Sequence, residues 1–340
     1  MIRTGPLLSL GSACLYFLSI FVCPAKAAAA DEIVLGWLVR CEPGVTCFVQ
    51  NYVDHDASNQ VRDYQCGGRT YDGHDGTDIR IPDLDIQRKG VEVLAAAAGT
   101  VTSIRDGVDD VSVRTAGKAA IAGKECGNGV VVEHANGWRT QYCHMAKGSV
   151  RVSVGDRVTA GHPLGLIGLS GETEFPHLHL TVRRLNKIVD PFAYEAVPNA
   201  CGSGHSIWVA SISEQTKYRA RDILNHGFAD LPTTMELVES GEILKHLPNL
   251  ESDALVAYVR AIGLKEGDQQ TLIVRGPDGA VLSEYKAPVL ERDKAQYFVA
   301  SGRKRKGANW APGTYTAKYR VTRNEEEVLR RDFEIKLGPK

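Results

Sequence analysis

Hydrophobic and polar residues follow one another in short runs with a period of two along much of the chain. That period is typical of β-strands with one buried face. In the first half of the chain, glycine-containing turns such as Asn136-Gly137 separate these runs. The predicted strands are Glu92–Ala96, Thr100–Arg105, Gly129–His134, Arg139–His144, Pro163–Leu169 and Pro176–Arg183. No amphipathic helix is predicted among them, so the pattern indicates a mainly β protein whose first domain is a compact antiparallel sheet.

A second series of strand-like runs begins near Ala254 and continues to the end of the chain. Turn signals at Pro277-Asp278-Gly279 and Pro312-Gly313 separate these runs. They predict a small β-sandwich, immunoglobulin-like, at residues 250–338. Residues 199–249 are predicted to be a linker with a possible helix at 234–247, where Gly241 weakens the helical pattern.

The first 30 residues have the pattern of a secretory signal peptide. An apolar run at residues 7–23 follows Arg3, and small residues follow at Ala27–Ala30. An uncleaved membrane anchor is the alternative. A lipoprotein signal is disfavoured, because neither Cys14 nor Cys23 has a leucine three residues before it. We therefore expect a periplasmic or secreted protein with no stable membrane insertion after cleavage.

Length and composition add two constraints. The chain has 340 residues, of which 43% are hydrophobic and 24% are charged, which is typical of a globular protein with room for two domains. The formal net charge is −1. Such a balanced charge gives no indication of nucleic-acid binding. The sequence gives no information on the oligomeric state.

Export changes how the cysteines are interpreted. Beyond the predicted signal peptide they are Cys41, Cys47, Cys66, Cys126, Cys143 and Cys201. An even number in an oxidising compartment favours disulfides. Cys41–Cys47 and Cys126–Cys143 are plausible pairs, Cys201 is a plausible tie to the preceding domain, and the full connectivity stays open. Strand alternation predicts that Cys143 points away from the face of His144, which favours a structural disulfide over a nucleophile.

Histidines and one aspartate form a pattern that indicates a metal site. Asp78 follows His74 by four residues, His177 and His179 are two apart, and His144 ends a predicted strand. Residues two or four apart share one face of a strand, and Gly73 and Gly76 argue against a helix around His74. Catalytic zinc takes three imidazole or carboxylate ligands and keeps one position open for water. His74, Asp78 and one histidine of the pair would supply that set.

These motifs resemble those of the lysostaphin- or LytM-type zinc metalloendopeptidases, which cut peptidoglycan cross-links. The matching stretches are His74-Asp75-Gly76-Thr77-Asp78, Tyr142-Cys143-His144 and His177-Leu178-His179, with similar connecting sequence over roughly residues 70–193. The resemblance implies a zinc metallopeptidase domain at 31–198, with its core at 70–193. It implies that His74, Asp78 and His179 bind Zn²⁺ and that His144 and His177 are catalytic.

The implied function is that of an exported endopeptidase that hydrolyses peptide bonds in peptidoglycan cross-links with a zinc-activated water. His177 would be the general base, and His144 would stabilise the oxyanion or share the proton transfer. Thr181 departs from the pattern, since an acidic residue often stands there. The alternatives are a non-catalytic regulator of another cell-wall hydrolase and a zinc protease with a protein substrate. A carrier-like β domain would leave the five site residues unexplained.

Overall fold

The computed structural model describes residues 1, 2, 5 and 32–338, so the predicted signal peptide lies almost wholly outside the described residues. The strands are β1 (Phe48–Asn51), β2 (Thr77–Arg80), β3 (Glu92–Leu94), β4 (Gly99–Arg105), β5 (Asn128–Glu133), β6 (Trp138–Met145), β7 (Arg157–Val158), β8 (Pro163–Leu166), β9 (His177–Arg184), β10 (Lys187–Val189), β11 (Asp222–Ala229), β12 (Ala254–Leu264), β13 (Gln269–Arg275), β14 (Val281–Lys286), β15 (Lys294–Lys304), β16 (Gly313–Arg323) and β17 (Glu326–Leu337). The α-helices are α1 (Leu84–Lys89), α2 (Val113–Ala116), α3 (Ala210–Gln215) and α4 (Met235–Ser240), and 3₁₀ turns span Lys118–Ile121, Ala135–Gly137 and Glu242–Lys245. Within the described part of the chain, no helix combines the length and the apolar character needed to cross a membrane.

An antiparallel sheet forms the first half of the fold. Its strands lie in the order β1-β2-β9-β6-β5-β4-β7, and β10 pairs with the end of β9. β3 and β8 form a separate pair beside it. Buried side chains from both sheets share one core, which includes Ile79, Val93, Val132, Leu164 and Leu180. The antiparallel sheet predicted from the sequence is confirmed.

The predicted strands of this domain are found within a few residues of their expected ends. The Asn136-Gly137 turn is also found: both residues have positive φ, 58° and 74°, which suits a tight hairpin between β5 and β6. Helix α1 was not predicted. The sequence nevertheless contains both capping residues of this helix. The Asp83 side chain accepts a hydrogen bond from the Ile86 amide at the start, and Gly90 ends the helix.

The second half contains seven antiparallel strands in two sheets. One sheet has the order β11-β12-β15 and the other β14-β13-β16-β17. Side chains from both sheets pack into one core, with Val259, Leu272 and Tyr319 among its buried members. This packing forms a β-sandwich, as predicted. Its relation to immunoglobulin-like domains stays a prediction.

The segment 199–249 is more ordered than the predicted linker. Trp208 is buried in the core of the first domain and bridges Leu35. Strand β11 lies in this range and pairs with β12, so it belongs to the sandwich. The predicted helix at 234–247 forms as α4, and Gly241 ends it in the left-handed conformation before a 3₁₀ turn. The domain boundaries themselves remain predictions.

Charged side chains connect the two halves. The Glu239 carboxylate on α4 lies 3.2 Å from Arg260 on β12, 3.9 Å from Arg80 on β2 and 3.8 Å from Arg114 on α2. Arg260 and Arg80 are almost fully buried, at 0% and 2% exposure. Because removing the partner of a buried charge is strongly destabilising, this contact ties the sandwich to the sheet. Phe48, Leu224 and Ile262 add an apolar cluster to the same interface.

Three disulfides are present among the described residues. They join Cys41 to Cys47, Cys66 to Cys201 and Cys126 to Cys143. Both pairs judged plausible from the sequence are confirmed, and Cys201 is tied to the first domain as expected. Cys66 is the partner that sequence reasoning did not identify.

We predict that the Cys66–Cys201 disulfide contributes more stability than Cys41–Cys47. The first closes a sequence separation of 135 residues and the second a separation of 6. The unfolded chain gains more conformational entropy when the longer loop is opened, so the double alanine variant at Cys66 and Cys201 should lose about 3 kcal/mol more stability than the matched variant at Cys41 and Cys47. Urea unfolding of both oxidised variants measures the difference. Equal losses would contradict the chain-entropy argument.

Candidate metal centre

The three predicted metal ligands come together at one point of the sheet. Asp78 on β2 and His179 on β9 are paired in register, so their side chains lie side by side on the same face. His74 does not share a strand with Asp78, contrary to the sequence prediction, because β2 begins only at Thr77. It reaches the site from the preceding loop. All three residues are buried.

The donor atoms converge to distances slightly shorter than the edges of a tetrahedral zinc site. His74 Nε2 lies 3.2 Å from Asp78 Oδ1 and 3.2 Å from His179 Nδ1, and His179 Nδ1 lies 2.9 Å from Asp78 Oδ1. At zinc–ligand distances near 2.0–2.2 Å, the edges of a tetrahedron measure roughly 3.3–3.6 Å. Three buried Lewis bases that converge this closely repel one another unless a cation or a proton lies between them. The residues therefore fit a zinc ion.

Outer contacts fix the orientation of two ligands. His74 Nδ1 lies 2.6 Å from the Tyr52 carbonyl oxygen. A carbonyl only accepts, so Nδ1 carries the proton and Nε2 keeps its lone pair for the metal. Asn51 Nδ2 donates to Asp78 Oδ2 at 2.9 Å, which leaves Oδ1 facing the other donors.

The His179 ring has its own outer contacts. Nε2 lies 3.2 Å from Asp75 Oδ1 and 3.1 Å from Thr181 Oγ1, and Arg183 donates to the second oxygen of Asp75 at 2.9 Å. Gly76 makes room for this ring: a Cβ there would lie 2.5 Å from His179 Nε2 and 2.6 Å from the Leu180 carbonyl oxygen. Only glycine therefore permits this close approach.

The two predicted catalytic histidines flank the three donors. The His144 and His177 ring centroids are 4.7 Å apart, and the His144 ring is 5.9 Å from that of His179. His144 Nδ1 lies 2.8 Å from the Ser170 carbonyl oxygen, and His177 Nδ1 lies 2.9 Å from the Phe175 carbonyl oxygen. In its neutral form, each ring therefore donates through Nδ1 and has a lone pair on Nε2. The Nε2 atom of His177 lies 3.4 Å from Asp78 Oδ1.

A β-bulge places His144 in the site. Cys143 and His144 together lie opposite Gly129 alone, and His144 has φ 63°. The argument from strand alternation is wrong here: Cys143 is paired in register with His179 and lies on the same face of the sheet. The bulge turns His144 back towards that face as well. The structural role predicted for Cys143 is confirmed, because it is bonded to Cys126.

The site shifts the pKa values of its own residues. Burial raises the pKa of Asp78, but the charges of His74 and His177 and hydrogen bonds from the histidines outweigh burial and hold the pKa well below its usual range. Burial and repulsion from the other histidines lower the pKa of His144 well below its ordinary value. For His179, burial lowers the pKa, yet hydrogen bonds to Asp75 and Asp78 raise it to about 9 in the metal-free protein.

One wall beside His177 comes from the loop at residues 106–127. The loop contains α2 and a 3₁₀ turn, which the sequence did not predict. Arg114 forms an ion pair with Glu174 at 2.7 Å, and Lys118 forms one with Glu172 at 2.6 Å. These ion pairs hold the loop against the segment before His177. The loop therefore borders the site.

Sequence reasoning missed the residues that orient the ligands. Asp75 lies inside the recognised motif, so an acidic residue beside a predicted ligand was an available signal. Asn51, Ser170 and the Tyr52 carbonyl lie far from the motifs in sequence, and no spacing rule connects them to the site.

An antiparallel sheet thus presents two histidines and an aspartate that could hold a metal ion, flanked by two further histidines. Residues 72–191 match the model of peptidase family M23. The family is zinc-dependent.

Three comparisons illustrate the similarity. The cell division protein DipM of Caulobacter vibrioides is 32% identical over 127 residues, which cover 35% of this chain and 17% of DipM. The peptidoglycan DD-endopeptidase ShyA of Vibrio cholerae is 42% identical over 53 residues, or 16% of this chain and 12% of ShyA. A zinc-containing peptidase from Vibrio cholerae of known structure aligns at 25% identity with a TM-score of 0.27, over 42% of this chain and 39% of its own. The chain thus spans less than a fifth of the length of these two curated relatives.

We predict that metal binding releases a proton. His179 has a pKa of about 9 without metal, so it is protonated at pH 6.5 and must lose its Nδ1 proton to become a ligand. From this residue alone, about one proton should leave per zinc ion at pH 6.5, and the apparent affinity should rise with pH up to about 9. Isothermal titration calorimetry in two buffers of different ionisation enthalpy counts the protons. Zinc binding without proton release would contradict the assignment of His179 as a ligand.

We also predict that Gly76→Ala disrupts metal binding, because the new methyl group would displace the His179 ring. Gly36→Ala is a matched control, since a Cβ there meets only the Ala96 carbonyl oxygen at an ordinary 3.5 Å. Zinc content after dialysis, measured by atomic emission, should fall for the first variant and stay at the wild-type value for the second. Full zinc occupancy in Gly76→Ala would show that the ring tolerates a shift.

Proposed function

We propose that this protein is an exported zinc endopeptidase that hydrolyses peptide bonds in peptidoglycan cross-links. The observation that carries the proposal is the convergence of three metal donors and two histidines with free Nε2 atoms on one face of the sheet. Peptide hydrolysis at a metal needs this combination: a held cation, an open position and a nearby proton acceptor.

His74, Asp78 and His179 would hold the zinc ion through Nε2, Oδ1 and Nδ1. When bound, zinc supplies a Lewis acid that polarises a carbonyl and lowers the pKa of a coordinated water towards about 7. The protein fixes this geometry through Tyr52 and Asn51, which orient the first two ligands.

His177 would act as the general base. Its Nδ1 proton is directed to the Phe175 carbonyl oxygen, with Thr173 Oγ1 at 3.1 Å, so its Nε2 lone pair faces the metal donors. From there Nε2 can accept the proton of the attacking water and return it to the leaving amine. Phe175 also packs on the His177 ring, with centroids 4.7 Å apart, which limits its rotation.

His144 would assist in the proton transfer. Its Nδ1–H donates to Ser170, so its Nε2 accepts a hydrogen bond and donates one only after taking a proton. Its depressed pKa makes it a weaker base than an ordinary histidine. This combination favours shared proton transfer over permanent oxyanion stabilisation, the other role that we considered.

The substrate class is inferred from the family and from the relatives' names. Residues 72–191 carry the family match, and ShyA is a peptidoglycan DD-endopeptidase. Three disulfides fit an oxidising compartment outside the cytoplasm, where peptidoglycan lies. Periplasmic or secreted localisation follows from that inference and from the predicted signal peptide. A regulator without catalysis would need none of the proton-accepting geometry around His177.

The test is digestion of purified peptidoglycan by the oxidised, zinc-loaded protein, with mass spectrometry of the soluble fragments. Cleavage of cross-links should release fragments with new peptide termini. His177→Ala should lower the rate by about 10²–10⁴-fold, as expected on removal of a general base, while it keeps its zinc. His179→Ala should lose both activity and zinc.

Peptidoglycans with different cross-links serve as parallel substrates and identify the bond. Release of free amino acids alone would indicate a carboxypeptidase. The endopeptidase proposal fails if the zinc-loaded wild type releases nothing from any of them. Stimulation of a separate wall hydrolase by the same inactive preparation would then identify a regulator, and cleavage of a protein substrate would identify a protease of different specificity.

A further inference from the structure

The His179 ring has one nitrogen for the metal and one that needs an acceptor. With Nδ1 directed to the other donors, Nε2 carries the ring proton. Two oxygens compete for that proton: Asp75 Oδ1 at 3.2 Å and Thr181 Oγ1 at 3.1 Å. The two distances are nearly equal, so the chemistry of the two acceptors decides which one takes the proton's hydrogen bond. An ionised carboxylate forms a hydrogen bond roughly twice as strong as that of a neutral hydroxyl.

A hydrogen bond from Arg183 holds Asp75 in position for its contact with His179. Arg183 donates through one nitrogen to Asp75 Oδ2 at 2.9 Å and through another to Gln141 Oε1 at 2.9 Å. Gln141 lies on β6, where it is paired in register with Thr181, and Arg183 lies four residues after His179 on β9. The four side chains therefore form one connected row across β6, β9 and the loop before β2: Gln141, Arg183, Asp75 and His179.

Thr181 offers no comparable support. Its hydroxyl is close to His179 Nε2 but carries no charge, and it can rotate to act as a donor instead. Asp75 places a carboxylate on the far side of the imidazole. A carboxylate in that position fixes the tautomer and raises the basicity of the ligating nitrogen.

We propose that Asp75 is a positioning residue that orients His179 and sets how tightly the site holds zinc. The inference rests on the proposed zinc site and deepens it, because it assigns the outer support of one ligand. Asp75 itself touches neither substrate nor metal in this role. Arg183 acts through Asp75 by holding its second oxygen.

The experiment measures the zinc dissociation constant by chelator competition for the full-length wild type and four variants. Asp75→Asn should bind zinc about 10–100-fold more weakly, the usual effect of losing an outer carboxylate. Thr181→Val, which removes only the hydroxyl, should stay within about threefold of the wild type on the same reasoning. Arg183→Gln should give an intermediate loss. Asp332→Asn is the matched control: it also breaks an aspartate–arginine pair, with Arg320, but in the sandwich, and it should leave zinc affinity unchanged.

A second readout reports on the ligand geometry. The visible absorption spectrum of the cobalt-substituted protein should shift in Asp75→Asn and stay unchanged in Thr181→Val and Asp332→Asn. Thermal unfolding of each variant identifies any that fails to fold, and Arg183→Gln then tests the same row while the carboxylate stays in place.

Wild-type zinc affinity in Asp75→Asn, or a larger loss in Thr181→Val than in Asp75→Asn, overturns the inference. These assays contain no peptidoglycan. Suppose that Asp75→Asn weakens zinc binding but the wild type releases no wall fragments. The proposed function would then be wrong, and the assignment of Asp75 would stand. If the wild type cuts peptidoglycan and Asp75→Asn binds zinc normally, the assignment of Asp75 would be wrong and the proposed function would stand.

Discussion

The register of strand β9 between β2 and β6 is the constraint on which the site depends. It sets Asp78 opposite His179 on one side and Cys143 opposite His179 on the other. Because side chains alternate with a period of two, a slip of one residue on either side would turn His179 away from its partners. The buried residues Leu178, Leu180 and Val182 resist such a slip, since they contribute to the core. The same packing that stabilises the sheet therefore aligns the donors.

The sandwich has a physical connection to this site, even though it supplies none of its donor atoms. Glu239 lies among Arg80, Arg114 and Arg260, and the Arg80 guanidinium stacks over the Phe175 ring at 4.1 Å. Phe175 in turn packs on His177. Two buried guanidinium groups without a carboxylate would face a large desolvation cost. The second domain thus supplies charge that the segment carrying His177 needs in order to stay packed.

The sequence predicted what local rules govern, namely the alternating strands, the Asn136-Gly137 turn and two disulfide pairs. The family resemblance implied the roles of the five site residues, which the structure brings close together. Sequence reasoning missed what tertiary pairing governs. The bulge at His144 arises because two residues of β6 lie opposite Gly129 of β5, so alternation gave the wrong face for Cys143. Strand β11 carries polar Asn225 and His226 in its middle, which hides its strand pattern, and it is held as a strand by antiparallel pairing with β12. The contact of Asp75 with His179 joins residues 104 positions apart, and no motif spacing encodes it.

The charge balance of the site gives a reason for the unusual Thr181. Two neutral imidazoles and one carboxylate would leave a bound zinc dication with one uncompensated positive charge, which would make it a strong Lewis acid. A second carboxylate beside His179 already comes from Asp75, and Arg183 offsets most of its charge. An acidic side chain at position 181 would add another negative charge to a buried site and repel Asp75 and Asp78. A neutral hydroxyl there fills the space without weakening the field that the metal donors create.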